Sequence, residues 1–509
     1  MSDLHFDATK VTPAQAPADD IQDQPRDTGR QWSVYQQAVF AHVADQRAGN
    51  AIVVAVAGSG KSTTIVEAMK LARGEAIFLA FNKAIADELK QRGVNGRTFH
   101  SLVFSPVVRF YKQNGPSMSK LRDLQKEEWG YSDRRLFGSF AERMVGLARG
   151  MGIGIPGMLP DTEEQWIALA EHHSLEPESD EADFGDAINM ARGLFDLCNK
   201  DPRVDFDDML YRAVRDGIRL PQFDFVFVDE AQDTNPIQRE LLRRILKPAG
   251  RLVAVGDPAQ AIYGFRGADS DAMATLAKEF NCRELPLSIS YRCPASVVSY
   301  ARQWVSHIEA RPGAPEGKVE DLGTDWNPLD FMAGDLVVCR KTAPLVTAAL
   351  RFIRAGVPVQ VLGKDIGEGL KALIDKMRAK NIDQLQEKLE AYRRREVDKA
   401  LKAEDEAKIE AINDKVGVLL FMADNLLEDR RTIEDLKGGI DHLFKDKARA
   451  VNFCTGHKSK GLEAQRVFWL GRSECPAQWA RKPWQRQQEI NICYVIATRA
   501  MSYLATMEL

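Results

Sequence analysis

No stretch of the 509 residues approaches the continuous apolar run that a membrane-crossing helix needs, and no basic-then-apolar segment opens the chain. Both absences argue against membrane insertion and secretion. Paired cysteines are missing as well. The seven, Cys198, Cys282, Cys293, Cys339, Cys454, Cys475 and Cys493, are scattered singly with no C-x-x-C. That suits a reducing cytosol better than a disulfide framework and provides no structural zinc pattern. His172 and His173 are adjacent among acidic residues but lack ligand spacing, and read as a solvated loop. Nor is there a surplus of one charge: a net charge of -4 and a pI near 6.2 exclude a globally basic nucleic-acid coat. Any phosphate-backbone binding must therefore come from local Lys and Arg clusters. What is present is ordinary for a globular protein, with 44% apolar and 28% charged residues. The length exceeds that of one hydrophobic core, so roughly three to four structural units are expected.

Residues 1–29 are rich in Asp, Pro, Ala and Gln and poor in large apolar side chains, the composition of a flexible tail. The apolar, β-branched run 51–57 ends in Gly58-Ser59-Gly60 and precedes a helix-compatible stretch from Lys61 to Leu71, so it reads as strand, tight loop, helix. Further buried strands are predicted at 77–81, 223–228 and 251–255. Strands alternating with helices imply a parallel α/β sheet. Between about 104 and 201 the pattern turns helical and charged, as an inserted subdomain does. A second α/β pattern begins near Leu285, includes 335–339 and 357–362, and resumes at 450–453 and 466–470. It is interrupted from about Gly367 to Phe444. There Ile374, Met377, Ile382, Leu385, Leu389 and Tyr392 recur at helical spacing amid Lys, Arg and Glu, predicting an amphipathic helix that forms half of an antiparallel hairpin or of a short coiled coil.

Two motifs carry chemistry. Ala55-Val56-Ala57-Gly58-Ser59-Gly60-Lys61-Ser62 lies between a predicted strand and helix, where backbone N–H groups and a helix N-terminus can cradle polyphosphate. Lys61 is the candidate for the β and γ phosphates and Ser62 for Mg²⁺, although Ala55 stands where the generic pattern has its first glycine. Phe225-Val226-Phe227-Val228-Asp229-Glu230-Ala231-Gln232-Asp233 places two carboxylates at the C-terminal end of a buried strand, where ligands of open α/β sheets bind. Asp229 is the candidate Mg²⁺ ligand, and Glu230 the group that orients or deprotonates an attacking water.

Other segments follow in order: Gln36; Phe81-Asn82-Lys83-Ala84; Thr98-Phe99-His100-Ser101-Leu102; Asp205-Phe206-Asp207-Asp208; the run Val255-Gly256-Asp257-Pro258-Ala259-Gln260-Ala261-Ile262-Tyr263-Gly264-Phe265-Arg266-Gly267-Ala268; Ser290-Tyr291-Arg292; Val338-Cys339-Arg340; Val361-Leu362-Gly363; Thr455-Gly456-His457-Lys458-Ser459-Lys460-Gly461-Leu462-Glu463; and Tyr494-Val495-Ile496-Ala497-Thr498-Arg499-Ala500. Together these segments resemble the UvrD/Rep group of superfamily 1 helicases, from about Gln36 to Leu509. The resemblance implies two RecA-like parallel-sheet motor domains in tandem, each interrupted by a mainly helical insertion. The first spans 30–103 and 202–284 with insertion 104–201; the second spans 285–366 and 445–509 with a small charged insertion at 367–444.

The same resemblance implies ATP and Mg²⁺ as cofactors, bound by Gln36 at adenine, by Ala57, Gly58, Ser59, Gly60, Lys61, Ser62 and Thr63 in the loop, by Tyr291 stacked on adenine and by Glu463 on the ribose. Gln260, Arg292 and Arg499 would act on the γ-phosphate, Arg499 as an arginine finger. Phe81, Asn82, Lys83, Thr98, His100, Tyr263, Phe265, Arg266 and His457 would contact single-stranded DNA, and an aromatic such as Phe265 can stack on any base. The implied function is an ATP-dependent DNA helicase that translocates 3′ to 5′ on single strands and unwinds tailed or forked duplexes in replication, recombination or repair. Protein partners and membranes are not implied. Two alternatives remain: a single-strand translocase that displaces proteins without unwinding and uses the same motor residues, and a nucleotide-switched DNA-binding protein, against which Glu230 together with Arg499 counts. A C-terminal nuclease is not expected, since the chain runs only nine residues past Ala500. The chain departs from the family pattern at Thr63, where Arg is usual, at Phe265, where Trp is common, and in its smaller second insertion. The run 81–89 is closer to the F-box helicase branch, without an F-box segment.

Overall fold

The computed structural model describes residues 31–173, 175–177, 179, 181–262, 264, 271–402, 405–425, 432–445, 447 and 449–509. The expected tail 1–29 and the expected DNA contacts Tyr263, Phe265 and Arg266 lie outside the described residues. Two compact units account for the chain. One comprises the described residues of Met1–Ala55 and Gly60–Ser288, the other those of Val56–Ser59 and Ile289–Leu509.

The first unit is built on a six-stranded sheet of β1 (Ala51–Ala55), β2 (Ala76–Leu79), β3 (Gly96–Arg97), β4 (Phe223–Val228), β5 (Leu246–Gly256) and β6 (Arg283–Leu287). Their order is β3-β2-β4-β5-β1-β6, and every pairing is parallel. Period-two alternation divides each strand between two cores. Val53, Phe225, Phe227, Val253 and Val255 face one core with Val39 and Ile65, while Ile52, Val226, Val228, Leu252 and Ala254 face the other. That second core runs without a break into the helices of the insertion through Phe140, Met144, Trp166 and Leu194. The insertion, with helices Lys120–Glu128, Tyr131–Met151, Glu163–His172 and Phe184–Lys200, is thus the cover of one sheet face, and its described residues share that face's core. His172 ends one of these helices and His173 is its C-cap, so the pair belongs to a helix terminus and not to the solvated loop expected.

The second unit carries a parallel sheet of β9 (Lys318–Asp321), β10 (Leu336–Cys339), β11 (Val359–Val361), β12 (Val451–Thr455), β13 (Ala464–Leu470) and β14 (Ala500–Met507), ordered β11-β12-β10-β13-β14-β9. β7 (Ile289–Ser290) and β8 (Glu309–Ala310) form a separate parallel pair. The expected α/β class with parallel strands is what the chain adopts. Two expectations are corrected. The boundary at 284/285 would cut β6, whose backbone extends the first sheet to Leu287 through its pairing with β1. The single amphipathic helix expected across 374–392 is two, Lys364–Met377 and Ile382–Lys402, because Arg378 turns into the left-handed region with φ 47° and ends the first. The antiparallel partner of Ile382–Lys402 is Glu406–Asn425.

That hairpin is fastened to its sheet at a helix end. The helix Thr342–Arg354 begins after Lys341, which gives no side-chain cap. Asp414, from Glu406–Asn425, accepts the N–H of Thr342 at 2.9 Å and of Ala343 at 2.5 Å. A carboxylate there satisfies two orphan donors and sits at the positive end of the helix dipole. Glu410 on the same helix accepts from the Trp479 indole at 2.6 Å and pairs with Lys341 at 3.3 Å. Leu385, Leu389, Val416 and Leu419 complete the attachment by sharing the apolar core of Val337, Val361 and Phe453.

Candidate nucleotide site

In the first sheet β5 lies between β4 and β1, so the C-terminal ends of three adjacent strands open on one edge. β1 leads towards Lys61 and Ser62, β4 delivers Asp229 and Glu230, and β5 delivers Asp257. The topology alone therefore gathers a lysine, a hydroxyl and three carboxylates that are far apart in sequence.

Lys61 Nζ lies 3.0 Å from a Glu230 carboxylate oxygen. Burial works against its charge, but Glu230, Asp229 and Asp257 outweigh it and raise the ammonium above its ordinary range. The Asp229 carboxylate is buried, accepts from Ser62 Oγ at 2.7 Å and from the Glu230 N–H at 2.9 Å. Burial and the neighbouring Glu230 push its carboxyl up, while Lys61 and Ser62 oppose the rise. Glu230 takes a left-handed conformation, φ 51°, unusual for a residue with a side chain. The turn it makes leaves the strand direction, and its carboxylate meets Lys61 on one oxygen and the Gln232 amide on the other. Asp257, also buried, accepts from Gln260 Nε2 at 2.6 Å and from the Ala259 N–H at 3.0 Å.

Ser62 Oγ and Asp229 are hard oxygen donors already within hydrogen-bonding distance of each other, and they fit a Mg²⁺ ion. When bound, such an ion neutralises charge on phosphate oxygens. Gln36 is buried and packs near the loop: its Nε2 donates to Thr64 Oγ1 at 3.0 Å, and its Oε1 accepts the Ser33 N–H at 3.0 Å in a capping box for the helix Val34–Ala44. The residue expected to read adenine thus also holds two helices in place. Thr63 lines a cavity of about 420 Å³ with Val66, Glu67, Lys70 and Arg92.

In the second unit the segment Val56–Ser59 meets Tyr291 and Tyr494. The Tyr291 N–H donates to the Gly58 carbonyl at 2.8 Å, and Tyr494 Oη accepts the Ala57 N–H at 2.8 Å. Gly58 has φ 71°, and a Cβ there would stand 2.5 Å from the Arg292 Cβ, so only glycine fits. The Tyr291 ring itself is exposed. Arg292 and Arg499 converge on one turn. Arg292 Nε donates to Glu463 at 2.8 Å, and the buried Arg499 donates to the carbonyls of Val495 at 2.8 Å and Leu462 at 3.2 Å. The family resemblance assigns these three side chains to phosphate and ribose, whereas here Arg292 and Glu463 are bonded to each other.

Of the expected DNA contacts, Phe81 and Lys83 are exposed, whereas Asn82 and Thr98 serve as helix caps. Asn82 accepts the Ile85 N–H at 3.0 Å, and Thr98 forms a reciprocal capping box with Ser101. His100 stacks on Phe206 with ring centroids 3.9 Å apart and planes at 18°. Burial lowers its pKa to about 4, so the ring is neutral near pH 7. His457 is half-buried in the turn after β12. Three residues that were given no role belong to these clusters: Phe206, with its half-exposed ring, Asp257, and Gln232, which is fully buried between the ends of β4 and β5. For Asp257 and Gln232 the signal was present, since a polar side chain just beyond a buried parallel strand faces the ligand edge.

The arrangement is that of a P-loop protein with two parallel sheets in tandem. Residues 35–281 match the UvrD/REP helicase N-terminal domain and residues 332–507 the UvrD-like helicase C-terminal domain. The chain belongs to the UvrD-like helicase family. Among its relatives, DNA helicase II of Haemophilus influenzae is 24% identical over 302 residues, covering 52% of this chain and 39% of the relative. The ATP-dependent DNA helicase UvrD1 of Mycobacterium bovis is 26% identical over 367 residues, 64% of this chain and 43% of the relative. F-box DNA helicase 1 of Gallus gallus is 29% identical over 250 residues, 42% of this chain and 22% of the relative. The chain thus spans about two fifths of the length of the two bacterial relatives and less of the avian one. Among the described residues, no helix is long and apolar enough to cross a membrane.

Proposed function

We propose that the protein is an ATP-dependent DNA helicase that couples hydrolysis to movement along single-stranded DNA and to duplex unwinding. The observation that carries this reading is the juxtaposition of Lys61 with Glu230 at 3.0 Å and of Ser62 with Asp229 at 2.7 Å. A cation for the transferred phosphate and a carboxylate for the attacking water are what hydrolysis needs beyond binding. In this reading Lys61 meets the β and γ phosphates, Glu230 orients the water and takes its proton, and Gln260 responds to the γ-phosphate. Arg292 and Arg499 leave their present bonds at Leu462–Glu463 to stabilise charge in the transition state. Tyr291, Glu463 and Gln36 hold the nucleoside.

For the strand, the half-exposed Phe206 ring, backed by neutral His100, and the exposed Phe81 offer faces on which a base of any identity can stack. The relatives named as DNA helicases support DNA as the substrate, and the family resemblance supports 3′ to 5′ polarity. The test is ATPase activity with and without single-stranded DNA. Stimulated hydrolysis that falls at least about a hundredfold in Lys61→Ala supports the reading. Equal activity in the two proteins, or none in either, contradicts it.

A further inference from the structure

We propose that Gln232 is a positioning residue that aims the Glu230 carboxylate, an inference that rests on hydrolysis at Glu230 as proposed above. Gln232 belongs to the short 3-10 turn Ala231–Asp233, which follows β4 after Asp229 and Glu230, and it is 1% exposed. Its side-chain amide is used at both ends. Nε2 donates to a Glu230 carboxylate oxygen, and Oε1 accepts the Asp257 N–H at 3.0 Å. Gly256 makes this approach possible, because a Cβ at that position would stand 2.4 Å from Gln232 Oε1. One side chain therefore ties the end of β4 to the end of β5 across their ladder.

The geometry answers a mechanical problem. Glu230 sits on a left-handed residue, and its side chain has several rotatable bonds, so the backbone alone does not aim its carboxylate. Lys61 approaches one oxygen, Oε1. It is also the group expected to move to phosphate when nucleotide binds, and its hold on Glu230 would then be lost. Gln232 holds the other oxygen, Oε2, from a buried position, and it keeps Glu230 aimed at water after Lys61 has turned away. Its own rigidity comes from the Asp257 N–H and from burial. Asp257 is in turn bonded to Gln260, so the water-orienting carboxylate and the proposed γ-phosphate sensor share one hydrogen-bonded chain: Glu230, Gln232, Asp257, Gln260. Pre-organisation of this kind acts on the chemical step and leaves binding of the substrate alone.

The experiment is steady-state ATPase kinetics of the full chain on saturating single-stranded DNA, for wild type, Gln232→Met, Glu230→Gln and the double variant. Met keeps the volume and removes both hydrogen bonds. The expected result is a kcat lower by roughly tenfold to a hundredfold in Gln232→Met, with KM for ATP within about twofold. Glu230→Gln alone should lose more, and adding Gln232→Met to it should change nothing further, since a positioning residue has no work once its carboxylate is gone. A purely structural role would instead raise KM or add its loss in both backgrounds. Should Gln232→Met melt below the assay temperature, Gln232→Glu, which keeps the shape but repels Glu230, carries the same kcat and non-additivity criteria. An active wild type with unchanged kcat in the Gln232 variants, or fully additive losses, overturns the inference and leaves the helicase reading standing. A wild type without ATPase activity overturns both.

Discussion

Replacing Asp257 by Asn should stabilise the protein in neutral solution without added nucleotide, and the gain should disappear in acid. Asp257 is buried, and burial pushes its carboxyl from 3.8 up to about 6 despite Lys61, the Gln260 amide and the Ala259 N–H, all of which favour the charged form. The native state therefore holds this proton more tightly than the unfolded chain does. Its contribution is fully present below about pH 4 and is lost as pH rises through about 6. A rise from 3.8 to about 6 corresponds to about 3 kcal/mol. Asn carries no charge at any pH and can still accept the Ala259 N–H. Relative to its value near pH 4, the stability difference between Asp257→Asn and wild type should grow by up to about 3 kcal/mol by pH 7.5, with most of the change between pH 4 and 6. Urea unfolding followed across that range, with the first unit read separately by hydrogen exchange, measures it. A difference that stays flat with pH would refute the reasoning, because it would mean that Asp257 is solvated or fully compensated by Lys61.

Removing the carboxylate in Asp414→Ala should cost about 1–2 kcal/mol, the worth of a cap with favourable charge at a helix start. Faster hydrogen exchange confined to the helix Thr342–Arg354 and the 382–425 hairpin is the expected signature, and exchange unchanged there would show that the cap is redundant. Phe206→Ala should weaken single-stranded DNA binding by roughly fivefold to a hundredfold while leaving the slope of affinity against salt unchanged, since a stacked ring neutralises no phosphate. With its pKa lowered to about 4 by burial, His100 stays neutral, so it should contribute no titration to the same binding between pH 6 and 8, and His100→Phe should leave the pH dependence of binding unchanged. Fluorescence anisotropy at two salt concentrations and three pH values tests both points.

The phosphate loop and the carboxylate strand were readable from sequence because each is a local signal. A β-branched run ending in Gly58-Ser59-Gly60-Lys61 and the buried run 223–228 ending in Asp229-Glu230 need only the rule that ligands gather at the C-terminal ends of parallel strands. What joins them depends on strand order. Gln232 and Asp257 meet only because β4 and β5 are neighbours, a pairing between residues more than twenty positions apart that no local pattern encodes. The same holds for Arg292 with Glu463, which are 171 positions apart. Asn82 and Thr98 illustrate the opposite case. Their capping signatures, Asn before a helical run and Thr three residues before Ser101, were local and visible, but the family resemblance drew attention to DNA instead. The break at Arg378 escaped because apolar spacing continues across it from Met377 to Ile382, and nothing in composition marks a left-handed arginine.

The most direct test of the motor itself is strand separation on 3′-tailed, 5′-tailed and blunt duplexes with ATP and Mg²⁺, comparing wild type with Glu230→Gln. The expected result is unwinding of the 3′-tailed duplex by wild type alone, with Glu230→Gln still binding the tail but separating no strands. Unwinding confined to 5′ tails would overturn the polarity. Strand separation by Glu230→Gln at the wild-type rate would contradict the claim that hydrolysis at this cluster drives the motor.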